Sequence, residues 1–99
     1  MTTALKNYIN GQWVESKGMD VLDVINPATG KSIMKVPAGS ATDLEDAAQA
    51  ACEAWPAWRN TPATQRVQYL YSMKQILEKH TDEIAAICTK ECGKTFLES

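Results

Sequence analysis

The sequence has few of the residues and patterns that usually mark an active site. It contains a single histidine, three cysteines and five isolated glycines, so it has no glycine-rich loop for binding phosphate. Any thiol or hydroxyl nucleophile that needed an imidazole base would have to use His80. From residue chemistry alone we predict no catalytic, cofactor-binding or metal-binding residue within these 99 positions.

The charge and hydropathy patterns exclude several kinds of partner. Ten Lys and Arg residues stand against 12 Asp and Glu, giving a net charge of −2 without a basic run. Nucleic acid and anionic membrane are therefore poor candidates. No stretch approaches the roughly 20 apolar residues of a membrane span, and the N-terminus lacks the apolar run of a signal peptide. These features predict a cytoplasmic protein.

The cysteines are more consistent with packing than with chemistry. Cys52, Cys88 and Cys92 are odd in number, which favours free thiols over a disulfide framework. Cys88 and Cys92 are four residues apart on a predicted helix, with His80 two turns upstream, so a metal site or redox pair is an alternative. That spacing fits no familiar zinc pattern, so we favour packing.

Two turn signals predict two β-hairpins near the N-terminus. Asn10-Gly11, flanked by strand-forming residues, predicts a hairpin over about Tyr8–Glu15. Pro27 presets the backbone for a second turn and Gly30 allows the positive φ that closes it, in a hairpin ending near Pro37. The chain thus divides into an N-terminal arm (1–7), a hairpin region (8–37) and a helical segment (40–99).

The first helix is predicted from Ala41 to Trp58. Ser40 precedes Asp43 by three residues, so its hydroxyl can cap free amides at the helix start. Thr42 and Glu45 are spaced as an alternative capping box.

The C-terminal end of this helix is aromatic and contains a proline. Trp55 and Trp58 lie on an alanine-rich face, and we interpret them as a core anchor rather than a ligand platform. Pro56 removes a backbone donor and predicts an irregular last turn.

Two further helices follow. The second is predicted over Pro62–Lys79, with Thr61 as N-cap, and the third from Thr81 to a C-terminal Gly93. The apolar face of the second consists of Tyr69, Leu70, Met73, Ile76 and Leu77, followed by His80. The third is expected to pack Ile84, Ile87 and Cys88 inward.

The last residues predict a fourth helix of one turn. Thr95 and Glu98 are spaced as a capping box, but one turn is too short to be stable alone. We therefore expect the chain to be a piece of a longer one. The fold class predicted for it is α+β, with hairpins followed by three helices and mainly helical content.

Several motifs, taken in order, resemble the N-terminal region of the aldehyde dehydrogenase superfamily. They are Tyr-Ile-Asn-Gly-Gln-Trp at 8–13, Asn-Pro-Ala-Thr-Gly at 26–30, Trp-Pro-Ala-Trp-Arg at 55–59, Arg66 and Glu-Cys-Gly-Lys at 91–94. The amino-acid sequence at 5–11, 66–68 and 93–95 is most similar to methylmalonate-semialdehyde dehydrogenases, the CoA-acylating, NAD-dependent branch of the superfamily.

The resemblance implies part of an α/β NAD-binding domain in an enzyme that assembles as a homo-oligomer. It also implies that NAD and CoA serve the parent enzyme and that none of the three cysteines here is the thioester-forming nucleophile. Glu-Cys-Gly-Lys at 91–94 remains a helix terminator by its residue chemistry. Some members hold a structural monovalent cation through groups matching Val24 or Ile25 and Glu91, which would place at most half of such a site here.

Two interpretations of the chain follow. In one, it is a catalytically incompetent portion of a semialdehyde dehydrogenase; in the other, it is a self-associating structural module. Both predict exposed apolar faces, including Phe96, Leu97 and parts of Leu70–Leu77, with no partner within the 99 residues.

Overall fold

A computed structural model describes residues 4–99 and shows two small antiparallel sheets followed by three helices. The strands are β1 (Asn7–Ile9), β2 (Gln12–Val14), β3 (Val21–Ile25) and β4 (Ser32–Pro37); the helices are α1 (Ala41–Arg59), α2 (Ala63–Lys79) and α3 (Thr81–Cys92), with a final 3₁₀ turn at Phe96–Glu98. The predicted α+β class is confirmed. The first three residues of the predicted N-terminal arm lie outside the described range.

The chain forms two compact units. One comprises the N-terminal residues to Ile25 together with Lys31–Arg59, and the other comprises Asn26–Gly30 and Asn60–Ser99. The first unit therefore holds all four strands and α1, whereas the second holds α2, α3, the 3₁₀ turn and the loop that connects β3 to β4.

The first hairpin has the predicted turn. Asn10 (φ 53°) and Gly11 (φ 75°) both have positive φ, as a two-residue turn of type I′ requires. The resulting register pairs Tyr8 with Trp13, and their ring centroids are 5.0 Å apart. This aromatic pair stabilises one face of a hairpin that has only three residues in each strand.

The second hairpin is closed by the predicted Asn-Pro-Ala-Thr-Gly loop. The Asn26 side chain accepts the Ala28 amide at 2.9 Å, and its backbone carbonyl accepts the Gly30 amide at 2.8 Å. Gly30 has φ 71°. On the far edge of β4, the Lys35 carbonyl accepts the Leu5 amide at 2.9 Å, which extends the pairing to the N-terminal segment.

Helix α1 starts at the predicted cap and runs through its proline. The Ser40 hydroxyl accepts the Asp43 amide at 3.2 Å, so Ser40 is the N-cap rather than Thr42. The helix continues through Pro56 to Arg59. The predicted aromatic core anchor is wrong, because Trp55 and Trp58 are 54% and 42% exposed. Within residues 4–99 the main element packed on α1 is β1, which is too short to cover them.

The cap of α2 differs from the prediction by one residue, whereas α3 begins at Thr81 as predicted. Pro62, not Thr61, occupies the N-cap position of α2, and its carbonyl accepts the Gln65 and Arg66 amides. His80 is the N-cap of α3, while the Thr81 hydroxyl donates backward to the Leu77 and Glu78 carbonyls. The prediction of Thr61 as the N-cap is wrong because the helical backbone begins after Pro62, whose ψ of 149° is not helical.

The C-terminal end of α3 follows the prediction. Gly93 has φ 74° and its amide donates to the Thr89 carbonyl at 3.0 Å, which ends the helix in a left-handed residue. The one-turn helix is a 3₁₀ turn, and Thr95 makes no side-chain cap bond there, so the predicted capping box does not form. The Glu98 and Ser99 amides instead donate to the Thr95 carbonyl.

Very little of the described chain is buried. Asp43 (7% exposed) and Ala85 (5%) are the buried residues among those described. The inward packing predicted for Ile84 and Ile87 is wrong, because both side chains are exposed. Cys88 is half-buried, and Ala85 is the buried residue of α3. The predicted exposure of Phe96, Leu97, Leu70 and Leu77 is confirmed.

Candidate functional site

The most densely bonded polar cluster is centred on the carboxylate of Asp43. The Ser16 hydroxyl donates to Asp43 Oδ2 at 2.7 Å, the Lys17 amide lies 3.1 Å from both carboxylate oxygens, and the Ser40 hydroxyl donates to Oδ2 at 3.1 Å. The carboxylate therefore joins the loop after β2 to the first turn of α1. We call Ser16, Lys17, Ser40 and Asp43 the Asp43 clamp.

Backbone geometry brings the clamp loop close to the start of α1. The Gly18 amide donates to the Ser16 hydroxyl at 3.1 Å, which folds the loop back on itself. A Cβ added at Gly18 would lie 2.5 Å from the Gly39 carbonyl oxygen, so only glycine fits there. Gly18 is thus needed for the close approach of two backbone segments.

The electrostatics of the clamp suit a structural role. Hydrogen bonds from the Ser16 hydroxyl and the Lys17 amide lower the pKa of the Asp43 carboxyl, with a further contribution from Ser40. Lys17 also donates to Asp46 at 2.6 Å, and this bond raises the pKa of the Lys17 ammonium. A carboxylate held ionised by several donors anchors a loop and is a poor proton donor near neutral pH.

Lowering the pH is expected to release this loop. A depressed folded-state pKa means that the stabilisation by Asp43 is fully present above the ordinary aspartate pKa and is lost as the pH falls through the folded-state value. The NMR shift of the Lys17 amide proton should therefore titrate below about pH 4. Asp43→Asn should abolish that titration, whereas Glu45→Gln, an exposed change in the same helix, should preserve it. A Lys17 amide that does not respond to pH would contradict the assignment.

The cysteines show no arrangement for nucleophilic or metal chemistry. Cys52 and Cys92 are exposed, Cys88 is half-buried, and all three are free thiols. His80 Nδ1 lies 3.0 Å from Glu83 Oε2, so its neighbour is a carboxylate on the following turn. Across residues 4–99, no group of three or more His, Cys, Asp or Glu side chains is placed to hold a metal ion.

The remaining residues singled out from the sequence occupy structural positions. Glu91 is exposed on the last turn of α3, and Ile25 ends β3. A groove of about 380 Å³ lies between the first hairpin and α1, lined by Ile9, Gln12, Lys17, Asp46 and Gln49 among others. The residues that line it include no serine, threonine, cysteine or histidine. None of the described helices is long and apolar enough to cross a bilayer.

Sequence reasoning missed the clamp as a unit. The Ser40–Asp43 spacing identified the helix cap, but Ser16 lies 27 residues before Asp43 and no local pattern links the two. The one local feature that could have indicated a close approach of two backbone segments was Gly18, but a glycine in a polar loop is equally typical of an ordinary turn.

Comparison with known proteins shows which family this chain is similar to. The family model described as "Aldehyde dehydrogenase family" matches residues 13–99. Malonate-semialdehyde dehydrogenase 1 of Geobacillus kaustophilus is 41% identical over 98 residues, covering 99% of this chain and 20% of the relative. Malonate-semialdehyde dehydrogenase of Bacillus subtilis is 42% identical over 95 residues, covering 96% and 20%.

Solved structures give the same result for the fold. A putative methylmalonate-semialdehyde dehydrogenase from Sinorhizobium meliloti, complexed with NAD, superposes with a TM-score of 0.92 at 31% identity, over 99% of this chain and 20% of that one. An aldehyde dehydrogenase from Bartonella henselae gives 0.92 at 29%, over 97% and 20%. The chain spans about a fifth of the length of these relatives, and its hairpins and helices match their N-terminal segment. On the strength of the family model and these relatives, the chain belongs to the aldehyde dehydrogenase family.

Proposed function

We propose that this chain is the N-terminal structural segment of an NAD-dependent semialdehyde dehydrogenase that converts malonate or methylmalonate semialdehyde to an acyl-CoA. The observation that carries the proposal is the likeness, over nearly the whole chain, to relatives named malonate-semialdehyde dehydrogenase. The likeness to a methylmalonate-semialdehyde dehydrogenase complexed with NAD supports the choice of cofactor.

We propose that the catalytic groups of this reaction lie in another part of the enzyme. A cysteine thiolate adds to the aldehyde carbon, hydride leaves that carbon for NAD, and the thioester passes its acyl group to the thiol of CoA. Such a nucleophile needs a base or another activating group within hydrogen-bond reach. The described residues offer one imidazole, and its Nδ1 lies 3.0 Å from Glu83 Oε2. We infer that this segment alone is catalytically incompetent and acts as a scaffold.

The same proposal extends to location and assembly. Three free cysteines suit a reducing compartment, and we propose that the protein is cytoplasmic. We also propose a homo-oligomer as the assembled state, supported by the many large apolar side chains left exposed in the described part of the chain.

The test is an assay of the gene product that carries this sequence, immunopurified from its own cell extract. Incubation with malonate or methylmalonate semialdehyde, NAD and CoA should yield NADH and the corresponding acyl-CoA, identified by mass spectrometry. Omission of CoA should slow NADH formation. Formation of the free acid at the same rate without CoA would contradict the acylating step, and absence of NADH formation from any semialdehyde would contradict the enzyme itself.

One second function is favoured by a specific observation. The exposed apolar side chains on both units also suit a self-associating structural module without activity. An inactive gene product that sediments as a discrete oligomer of the 99-residue chain would support that alternative.

The cysteines provide a further expected result. In a chimaera that carries this sequence in place of the matching fifth of the Bacillus subtilis enzyme, Cys52→Ala, Cys88→Ala and Cys92→Ala combined should leave kcat within about twofold, because the proposal puts the nucleophile outside this segment. The matched control is alanine at the nucleophile of the Bacillus portion, which should abolish NADH formation. A loss of a hundredfold or more in the triple variant would place a catalytic thiol in this segment.

A further inference from the structure

The sequence contains a single Asn-Gly pair, and it forms the tip of the first hairpin. Asn10 and Gly11 are both exposed. Within residues 4–99, no hydrogen bond engages the Asn10 side chain or the Gly11 amide. Neither group is therefore held by a bond that would have to break before the two react with each other.

The two groups have the chemistry of spontaneous deamidation. The Gly11 nitrogen bonds to Asn10 Cγ and loses its proton, and the bond from Cγ to the side-chain nitrogen breaks, so that this nitrogen leaves as ammonia. Water then opens the resulting succinimide ring at either carbonyl. One product is aspartate, and the other is isoaspartate, in which the main chain runs through the side-chain carbon. The net change replaces a carboxamide with a carboxylate and consumes only water.

The other three asparagines of the sequence are poorly suited to this reaction. Asn26 precedes Pro27, which has no amide proton to lose. Asn7 and Asn60 precede tyrosine and threonine, whose side chains hinder the approach of the nitrogen to Cγ. Asn10 precedes glycine, which has no side chain and permits the backbone rotations that ring closure requires.

The closed hairpin holds Asn10 and Gly11 in an unreactive geometry. Ring closure requires the Gly11 nitrogen to eclipse Asn10 Cβ about the bond from Cα to the carbonyl carbon. The φ values of 53° and 75° are those of a type I′ turn. In this turn type the ψ of the first residue is about +30°, which points the next nitrogen away from Cβ. The reaction therefore requires the hairpin to open.

The first hairpin is short enough to open. Each of its strands has three residues, and a two-stranded hairpin is at best marginally stable by itself. The ring pair of Tyr8 and Trp13, with centroids 5.0 Å apart, is a contact that opening must break. Hairpins form within about 1–10 μs, which is far faster than amide chemistry. The deamidation rate therefore depends on the fraction of hairpins that are open.

We propose that Asn10 is a site of spontaneous deamidation and that its isoaspartate product cannot close the first hairpin again. Isoaspartate adds a main-chain carbon to a two-residue turn, so the register that pairs Tyr8 with Trp13 is lost. The aspartate product keeps the main chain. It places a new carboxylate on a groove whose lining already includes four carboxylate side chains and one lysine. The site is independent of the dehydrogenase reaction.

The test is incubation of the chimaera at neutral pH in heavy-oxygen water, followed by tryptic digestion in ordinary water and mass spectrometry. Product formed in the intact protein carries the heavy oxygen, whereas product formed during digestion does not. Trypsin releases Asn7 and Asn10 in the same peptide, 7–17, so that Asn7 is an internal control. Electron-transfer fragmentation distinguishes isoaspartate from aspartate.

The expected result is isoaspartate as the main product at Asn10, formed at least tenfold faster than product at the other three asparagines. Gly11→Ala should slow the reaction at least tenfold, although its φ of 75° strains alanine and favours the open turn. Aspartate without isoaspartate at Asn10 would exclude the succinimide and overturn the proposal. Equal rates at all four asparagines, or no product at Asn10, would also overturn it.

A pair of variants tests the dependence on hairpin opening. Trp13→Ala removes the ring pair and should accelerate deamidation about two- to tenfold, as expected from the loss of one aromatic contact. Tyr8→Phe keeps both rings and should leave the rate unchanged. An unchanged rate in Trp13→Ala would contradict reaction from the open hairpin.

Hydrogen exchange tests the consequence of the reaction. Gln12 pairs with Ile9 next to the turn. In the chimaera that carries isoaspartate, the Gln12 amide should exchange as fast as in an unstructured peptide. An amide that stays as protected as in the unreacted chimaera would overturn the claim that the hairpin cannot close again.

Discussion

The 99-residue chain on its own is expected to associate as its concentration rises and to unfold without a sharp transition. It buries only about half of the surface that an unfolded chain of this mass exposes, whereas a domain of this size usually buries about 65%. For a chain that buries so little apolar surface, the free energy gained by burial is close to the conformational entropy lost on folding, so the free energy of unfolding is near zero. Its exposed leucines, isoleucines and tryptophans then become contacts between copies.

Sedimentation and circular dichroism measure both parts of this expectation. The weight-average mass should rise from 10.9 kDa with concentration, and the helical signal should decay gradually on heating. The chimaera is the control, since it supplies the remaining four-fifths of a relative and should melt cooperatively. A mass of 10.9 kDa at every concentration, together with a sharp melt, would contradict the expectation.

Gly18→Ala is expected to be the most damaging single substitution in the first unit. Its new Cβ would lie 2.5 Å from the Gly39 carbonyl oxygen and 2.8 Å from the carbonyl carbon, both of them backbone atoms. Relief therefore requires the loop or the start of α1 to move. We expect a cost of about 1–3 kcal/mol, as in other overpacked sites, and displacement of the neighbouring Lys17 amide from Asp43.

Two measurements separate this clash from a general loss of stability. The melting temperature of the chimaera should fall by several degrees, and the acid titration of the Lys17 amide should disappear. Gly30→Ala makes the same chemical change where nothing lies within 4 Å, although at φ 71°. It should strain its own turn and leave the Lys17 titration unchanged. Retention of that titration in Gly18→Ala would show that the close approach is not required.

The elements that could be predicted from the sequence are those determined by neighbouring residues. Asn10-Gly11, Ser40 and Gly93 each act within four residues of their own position, and the structure has the turn, the cap and the helix end that they predict. The one-residue error at Thr61 arose because Pro62 lies before the first helical residue rather than at it.

The predictions that failed depended on distant contacts. Trp55 recurs at the helical spacing of a core residue, but it is exposed. Helical spacing predicts which residues lie on the same face of a helix, and it does not predict whether another element covers that face. The Asp43 clamp joins residues 27 apart, beyond the reach of local patterns. The family, in contrast, could be identified from the order of several motifs, because that order reflects the whole segment rather than any one contact.

We propose that this chain works as one segment of a larger dehydrogenase, and the mass of the native gene product tests this most directly. An antibody to the Trp55–Arg66 region, applied to the cell's own extract and followed by intact mass spectrometry, identifies the species that carries the sequence. Since the chain spans 20% of its relatives, we predict a species about five times heavier than 10.9 kDa. A lone species of 10.9 kDa would contradict the claim and would require a binding or assembly role for the short chain.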